Sequence, residues 1–570
     1  MNEDFRKTAP APLALVPFEI PQPFEIVLPN NLKVVIFEDK RLPIVSFRLA
    51  FRFGEVNEPR DAIGLTSAMT SMLSEGTRTR TSLQLAEEIE SLGAHVSASA
   101  NADNTVIAGS ALSLYSSDIL KLMAEMVLFP TFPESELKLY KQNTIEGLKF
   151  QRSQPNFLAE EQTSRILYGS HPYSITTPKP GDIEKITREK LIEFHQKMLV
   201  PNNATLIVVG DANRDEILQE IEENFGGWKE GNVEEMQFPA PPARTMTTVT
   251  IVDRPGSAQS NIVLSNPAIN RTNPDYFPLL VMNQILGAGA SSRLFMNLRE
   301  EKGYTYGAYS SLDTRRLAGA FEATSEVRTA VTGDSLKEFF YELRRIRDER
   351  VSEEEITDAR NFLSGVFPIR AETQEGLTNL IVSQQLYNLP ADYLQTYRDK
   401  VNAVTFEKIE LVAKKYVTPE KMAIVVVGDA EEVLPQVQSY SSEIEIFDTE
   451  GNSVDIANYG KSSIGESADV NGKWNLTVDF QGQKLSVTLS LEQNGNKING
   501  SLESMLGNGE ITDGKVTGNK VFGTAKIEVQ GQSLEIMLKG DLENENEIKG
   551  MLSAQKDGFP DLSFTGTKSG

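Results

Sequence analysis

Histidine is the side chain that most readily moves a proton or holds zinc near neutral pH, and this chain has three, His95, His171 and His195. His95 is followed by Val-Ser-Ala-Ser, His171 by Pro-Tyr-Ser-Ile and His195 by Gln-Lys-Met-Leu, so none belongs to an HxxH, HxxE or HxxEH spacing. Each reads as structural or superficial. There is no Cys, which removes disulfides, thiolate zinc sites, iron–sulfur clusters and cysteine nucleophiles together. A Ser-His-Asp triad has no GxSxG turn to carry its serine. GAGASS (Gly287 to Ser292) lacks the Gly-Lys-Ser/Thr of a P-loop and the third glycine of GxGxxG, so it reads as a tight turn before a helix, not a phosphate cradle.

The elements that must position any reactive residue have α/β texture. Pro10, Pro12, Pro17, Pro21 and Pro23 make residues 1–23 an extended arm that either embraces a partner or frays. From Phe24 onward, strand-like runs such as LKVVIF (Leu32 to Phe37) and IVSFRLAFRF (Ile44 to Phe53) give way to amphipathic helical stretches. In LQLAEEIESLG, Leu83, Leu85, Ile89 and Leu92 fall near helical spacing and Gly93 serves as the stop. PNNATLIVVGDA (Pro201 to Ala212) recurs as PEKMAIVVVGDA (Pro419 to Ala430), each copy with a helix-like stretch before and after it. This is a duplication, with VVGDA as a strand-to-helix turn; no glycine-rich fingerprint marks a nucleotide site there.

KEGNVEEMQFPAPPAR (Lys229 to Arg244) suits a linker between two similar halves. After about Ile456 the chain turns Gly, Ser and Asp rich, then all-β. Trp474, Leu476, Val478 and Phe480 alternate with polar residues, as do Leu485, Val487, Leu489 and Leu491. Asn494-Gly495, Asn499-Gly500, Asn508-Gly509 and Asp513-Gly514 are hairpin turns. The divisions expected are an arm over 1–23, an α/β domain over 24–230, a linker over 231–246, a second α/β domain over 247–457, a linker over 458–469 and an all-β domain over 470–570.

A chain of 570 residues with net charge −24 would repel nucleic-acid phosphates, and no apolar run approaches the ~20 residues of a membrane-spanning helix. The opening MNEDFRKTAPAPLALVPF carries acids and no apolar h-region. The sequence therefore leans to the cytoplasm, with the periplasm as the alternative if a native leader has been removed.

One stretch is more specific than these. SSRLFMNLREEKGYTYGAYSS runs from Ser291 to Ser311, with Arg299 and Tyr306 seven residues apart across a Lys302-Gly303 break. It resembles the SRLF…LREEKGLxY segment of the pitrilysin/insulinase (inverzincin) metallopeptidase family, particularly its bacterial members similar to mitochondrial processing peptidase. The resemblance spans roughly residues 24 to 456, including the duplication. In that family an HxxEH helix follows Gly-Leu and precedes Leu-x-x-Gly-Thr, with two His on one metal and the Glu as general base. Here the frame is GLTSAMTSMLSEGT (Gly64 to Thr77), and Ser67, Thr70 and Ser71 stand at the three working positions. The place of the third ligand, a Glu, falls on Gly147, with Glu146 one position off. Hydroxyls are poor zinc ligands and cannot replace a carboxylate base.

The resemblance implies two homologous peptidase-like α/β domains forming half of a clam-shell, followed by a small antiparallel β-barrel or sandwich. It implies a degenerate zinc site, no metal or cofactor in this chain, and zinc in a partner subunit bearing HxxEH. Arg299 and Tyr306 would serve that partner's site in trans, acting on unfolded peptides in a heterodimer. The alternative is a catalytically inert scaffold or binding protein that keeps the fold, and a further one places the function in the β domain.

Overall fold

The computed structural model describes residues 19–234, 236–459, 468–480, 483–505, 507–517, 519–529, 532–554 and 562–569. Most of the arm expected over 1–23, and residues 460–467 of the second linker, lie outside the described residues. The chain divides into two compact units at Asn452/Ser453.

The first unit holds two sheets. In the N-terminal half, β1 (Phe24–Val27), β2 (Lys33–Glu38), β3 (Ile44–Phe51), β4 (His95–Ala100), β5 (Thr105–Leu112) and β6 (Ala204–Gly210) lie in the order β1-β2-β6-β3-β5-β4. In the C-terminal half, β7 (Thr248–Asp253), β8 (Gln259–Pro267), β9 (Thr305–Thr314), β10 (Gly319–Arg328), β11 (Ala423–Gly428) and β12 (Ile444–Phe447) follow β12-β7-β11-β8-β10-β9. The duplicated VVG segments are β6 and β11. Each is parallel to one neighbour (β2 or β7) and antiparallel to the other (β3 or β8). Such central strands are covered on both faces and read as unbroken apolar runs. β4 and β9 hold equivalent places at the sheet ends.

VVGDA turns the chain into a helix in both copies. The Asp429 side chain accepts from the Glu431 amide at 3.1 Å, capping Ala430–Val437, while in the first copy Asn213 does the capping. An Asx cap satisfies amides that a helix start leaves open.

Each half is covered partly by a helix from the other. Helix Pro155–Tyr168, N-terminal in sequence, packs on β8 and β11, where Leu158 and Ala159 join Val252, Val263, Val425 and Val427 in one buried cluster. Helix Gln374–Leu386, C-terminal in sequence, packs on β3 and β6. Gln374 Nε2 donates to the Asp39 carbonyl at 3.1 Å and Lys33 Nζ to Gln385 Oε1 at 2.9 Å. Ile20, at the edge of the expected arm, is buried, and its carbonyl accepts from Gln395 Nε2 at 2.9 Å.

The second unit contains a closed eight-stranded antiparallel barrel from Gly472–Phe480 to Leu562–Ser569. Its inward positions, among them Trp474, Leu476, Val478, Leu489, Ile536 and Phe564, converge in one buried cluster. Trp474 Nε1 donates to the Val470 carbonyl at 2.9 Å, so the indole is buried without a stranded donor. In the helix Ser82–Ser91, Leu85 is buried while Leu83 is exposed; Leu83 stands in the first turn, off the buried stripe.

Candidate functional site

Helix Leu65–Met72 carries Ser67, Thr70 and Ser71. Leu65, Ala68, Met69 and Met72 bury one face and fix it beside β4 and the helix Glu134–Arg152. Its first turn begins at Gly64, whose φ of 88° is left-handed, a conformation glycine adopts without penalty. Glu58 reaches across this start, accepting from the Gly64 amide at 2.8 Å and the Thr66 amide at 2.6 Å. Burial pushes the Glu58 carboxyl up to about 7, with neighbouring Glu55 adding to the rise and the two amides working against it.

The working positions are engaged locally. Ser67 Oγ donates to Glu55 Oε1 at 3.2 Å, and burial likewise raises the Glu55 carboxyl, opposed by that hydroxyl. Thr70 is buried, with its hydroxyl directed to the carbonyls of Thr66 (3.1 Å) and Ser67 (3.0 Å). Ser71 is exposed. Gly147 has open space where a Cβ would be, and Glu146 is a surface residue paired with Lys149 at 2.8 Å. Two hydroxyls committed to a carboxylate and to helix carbonyls, one surface serine and one glycine do not fit a zinc ligand set. Among the described residues no group of three or more His, Asp or Glu is arranged to hold a metal. His171 Nδ1 accepts from the Tyr173 amide at 3.1 Å and His195 Nε2 lies 2.7 Å from the Val127 carbonyl. His171 is buried and His195 half-buried, each engaged with backbone, and His95 is exposed on β4.

Arg299 and Tyr306 lie in the other half, on irregular backbone. Met296–Glu301 is a π-helix, in which the Lys302 amide reaches back to the Asn297 carbonyl at 3.0 Å. Its Arg299 side chain is about half exposed, 3.6 Å from Glu300 and 4.8 Å over the Phe295 ring. Gly303, at φ 64°, turns the chain into β9. There Ala308 pairs with Ser325 but Thr305 with Val327, so Tyr306 and Gly307 face Glu326 alone in a β-bulge. The Thr305 hydroxyl bridges it, donating to the Glu326 carbonyl at 2.6 Å and accepting from the Gly307 amide at 3.1 Å. Tyr306 emerges 89% exposed. A core role for Tyr306 is thereby excluded. Bulges and π-turns re-aim side chains and concentrate at functional sites; neither has a signature in the residue types here.

Arg293, in the same motif, does something else. It is buried and forks onto Glu355 through Nε at 2.6 Å and Nη2 at 3.0 Å. Glu355 in turn closes a capping box with Ser352 at the start of helix Glu353–Glu372, so Arg293 anchors the segment that presents Arg299. Gly287 also serves this anchoring: a Cβ there would lie 2.3 Å from the Ser310 amide of β9.

Two family models cover this ground: Insulinase (Peptidase family M16) matches residues 33–181 and Peptidase M16 inactive domain matches residues 185–363. The chain belongs to the M16 peptidase family. Among M16 relatives, the uncharacterized zinc protease YmxG of Bacillus subtilis is 21% identical over 398 residues, 69% of this chain and 95% of its own. The non-peptidase homolog YmxG of Helicobacter pylori is 21% identical over 406 residues, 70% of this chain and 93% of its own. A crystal structure of a peptidase M16 inactive domain from Pseudomonas fluorescens superposes with TM-score 0.67 at 27% identity, covering 71% of this chain and 98% of that one. These matches agree with two peptidase-like domains followed by a separate barrel. Among the described residues no helix is long and apolar enough to cross a membrane.

Proposed function

We propose that this chain is the metal-free subunit of a two-chain M16 peptidase, lending Arg299 and Tyr306 to the active site of a homologous partner that carries HxxEH and zinc. The observation that carries this reading is the presentation of Tyr306: a phenol 89% exposed, raised on a bulge that follows the π-helix bearing the half-exposed Arg299, on a chain whose own helix has only hydroxyls where ligands and base would stand. A solvent-facing phenol can turn its hydroxyl toward an incoming acceptor. In trans, the phenol would donate a hydrogen bond to the oxyanion that develops on a peptide carbonyl, and the guanidinium would orient the peptide through its carbonyls. The substrate would be unfolded peptide. Alone, the chain would not hydrolyse peptides.

A second reading, an inert scaffold or binding protein with the M16 fold, is favoured by the inactive-domain match and the non-peptidase relative. Purifying the chain alone and co-expressed with an HxxEH-bearing homologue separates the two. Peptidase activity with about one zinc per pair, only in the mixture, is expected. Tyr306→Phe should then lower kcat about 100-fold, as loss of an oxyanion donor does, with assembly intact by gel filtration. An unchanged rate would sink the in-trans role, and a pair that never forms would leave the scaffold.

A further inference from the structure

The C-terminal half contains a cleft that no motif in the sequence marks. It lies between the start of helix Tyr276–Leu286 and helices Tyr393–Asn402 and Phe406–Tyr416, with a volume of about 830 Å³, within the range of cavities that take small ligands. Phe277, Leu389, Val404 and the exposed Leu411 give it an apolar wall. Behind that wall Phe277, Tyr393 and Tyr397 form a packed aromatic group, with ring centroids 5.6 to 6.1 Å apart.

Three cations line the same cleft, Arg271, Lys400 and Lys408, the last with its Nζ 3.3 Å from the Ala403 carbonyl. The Arg271 guanidinium lies 3.8 Å over the Tyr276 ring and 5.3 Å from that of Tyr393, and its Nη2 donates to the Tyr393 hydroxyl at 2.6 Å. Lys400 Nζ lies 5.9 Å from the Phe277 ring and 5.8 Å from the Tyr393 ring. The side-chain partners of Arg271 and Lys400 are these rings and this hydroxyl; among the described residues none of the three cations pairs with a carboxylate. Two acids also line the cleft, and both are engaged elsewhere: Asp275 with Lys415 at 2.8 Å and the Tyr416 hydroxyl at 2.7 Å, Glu407 with Arg350 at 3.8 Å. On a chain of net charge −24, three cations without carboxylate partners beside an apolar wall are a local reversal of charge. Cations resting on ring faces are partly desolvated and still carry unused N–H donors. Arginine's fork fits a planar carboxylate. Three cations against two acids leave one net positive charge in the cleft, which suits a monoanion better than a dianionic phosphate.

We infer that this cleft binds a carboxylate carried on an apolar or aromatic body. Arg271 and Lys400 hold the anion, and the wall from Phe277 to Leu411 takes the body. Two sources share that chemistry, a polypeptide C-terminus ending in an apolar residue and a free aromatic acid. The site is independent of the peptidase reading, since it includes neither Arg299 nor Tyr306.

The test is isothermal titration calorimetry on the full chain, using N-acetyl-phenylalanine, N-acetyl-phenylalaninamide, phenyl phosphate and a short peptide ending in Phe with a free or amidated terminus. Saturable binding of the acid is expected, with the amide and phenyl phosphate weaker by at least about 10-fold, the scale of a lost charge-assisted hydrogen bond. A free-ended peptide that binds as tightly as the small acid identifies a polypeptide terminus; a peptide that is excluded while the small acid binds identifies a free acid. Arg271→Gln and Lys400→Gln should each weaken binding by a similar factor. Because Arg271 also holds Tyr393, Leu411→Glu provides a second variant, placing a carboxylate at an exposed position on the wall, and should likewise weaken the acid. Equal binding of acid and amide, retained affinity in the folded Lys400→Gln and Leu411→Glu proteins, or no saturable binding of any probe would overturn the inference.

Discussion

Glu58 shows at the residue scale how the start of helix Leu65–Met72 is held. Its carboxylate closes the helix start on two backbone amides, yet burial pushes its carboxyl up from 4.5 to about 7. A carboxyl raised on folding binds its proton more tightly in the native state, so its contribution to stability is complete below about pH 4.5 and is lost as pH rises through about 7. Glu58→Gln keeps one of the two oxygens that accept from Gly64 and Thr66 and abolishes the ionisation. Urea titrations of both proteins at pH 5 and pH 8 should therefore show the wild type losing ground to the variant at the higher pH. A difference that stays constant between the two would mean that Glu58 does not carry its proton to neutral pH. That Ser67, Thr70 and Ser71 share one helix was legible from their spacing. The Glu55–Ser67 bond and the Glu58 closure were not, since an acid several residues ahead of a helix has no spacing of its own.

At the scale of elements, presentation of Arg299 depends on how its segment is tied down. Burial works to raise the Glu355 carboxyl, but the Arg293 guanidinium and the Ser352 amide override it and bring it down to about 2. A depressed carboxyl stabilises the fold above its ordinary value near 4.5, and that stability is lost as pH falls toward 2. Glu355→Ala strands a buried guanidinium and should cost about 3 kcal/mol in urea unfolding, with the loss shrinking in acid. A cost that does not change on acidification would show that the pair is not what lowers the carboxyl. The crossed helices make a second case. Leu158 belongs by sequence to the N-terminal half but is buried against β8 and β11 of the other. Leu158→Ala should cost about 2–5 kcal/mol and shift a single unfolding transition for both halves, whereas a transition split into two would mean that they fold separately. The duplicated strands and their turns were legible because central strands write themselves as apolar runs. The exchange of helices was not: amphipathic periodicity says that a face is buried and never against which sheet. The bulge at Tyr306 and the π-turn at Arg299 escaped for a related reason, since both are set by register with distant strands rather than by local residue types.

For the whole molecule the question is what the barrel adds. Its alternation and the turn at Asn494-Gly495 were plain in the sequence, but Asn499-Gly500, Asn508-Gly509 and Asp513-Gly514, also expected as turns, lie inside the strands Lys497–Ser504 and Gly507–Thr517, where ladder pairing overrides local turn preference. The inward residues form a core of their own, separate from the clusters of the first unit. A closed barrel satisfies its strand edges internally, so its folding does not call on the peptidase-like sheets. The first unit likewise has complete sheets and its own crossed helices. A chain ending at Tyr459 should therefore keep the circular-dichroism transition of the peptidase-like unit and lose only the barrel's. If the proposed pairing rests on Arg299, Tyr306 and the surfaces around them, this shortened chain should also restore activity to the HxxEH partner at a kcat close to that of the full chain. Full turnover with a raised KM would assign the barrel to substrate capture. Loss of assembly would show that the barrel contributes the partner-binding surface, and would move the functional weight from the M16 unit to the eight strands that follow it.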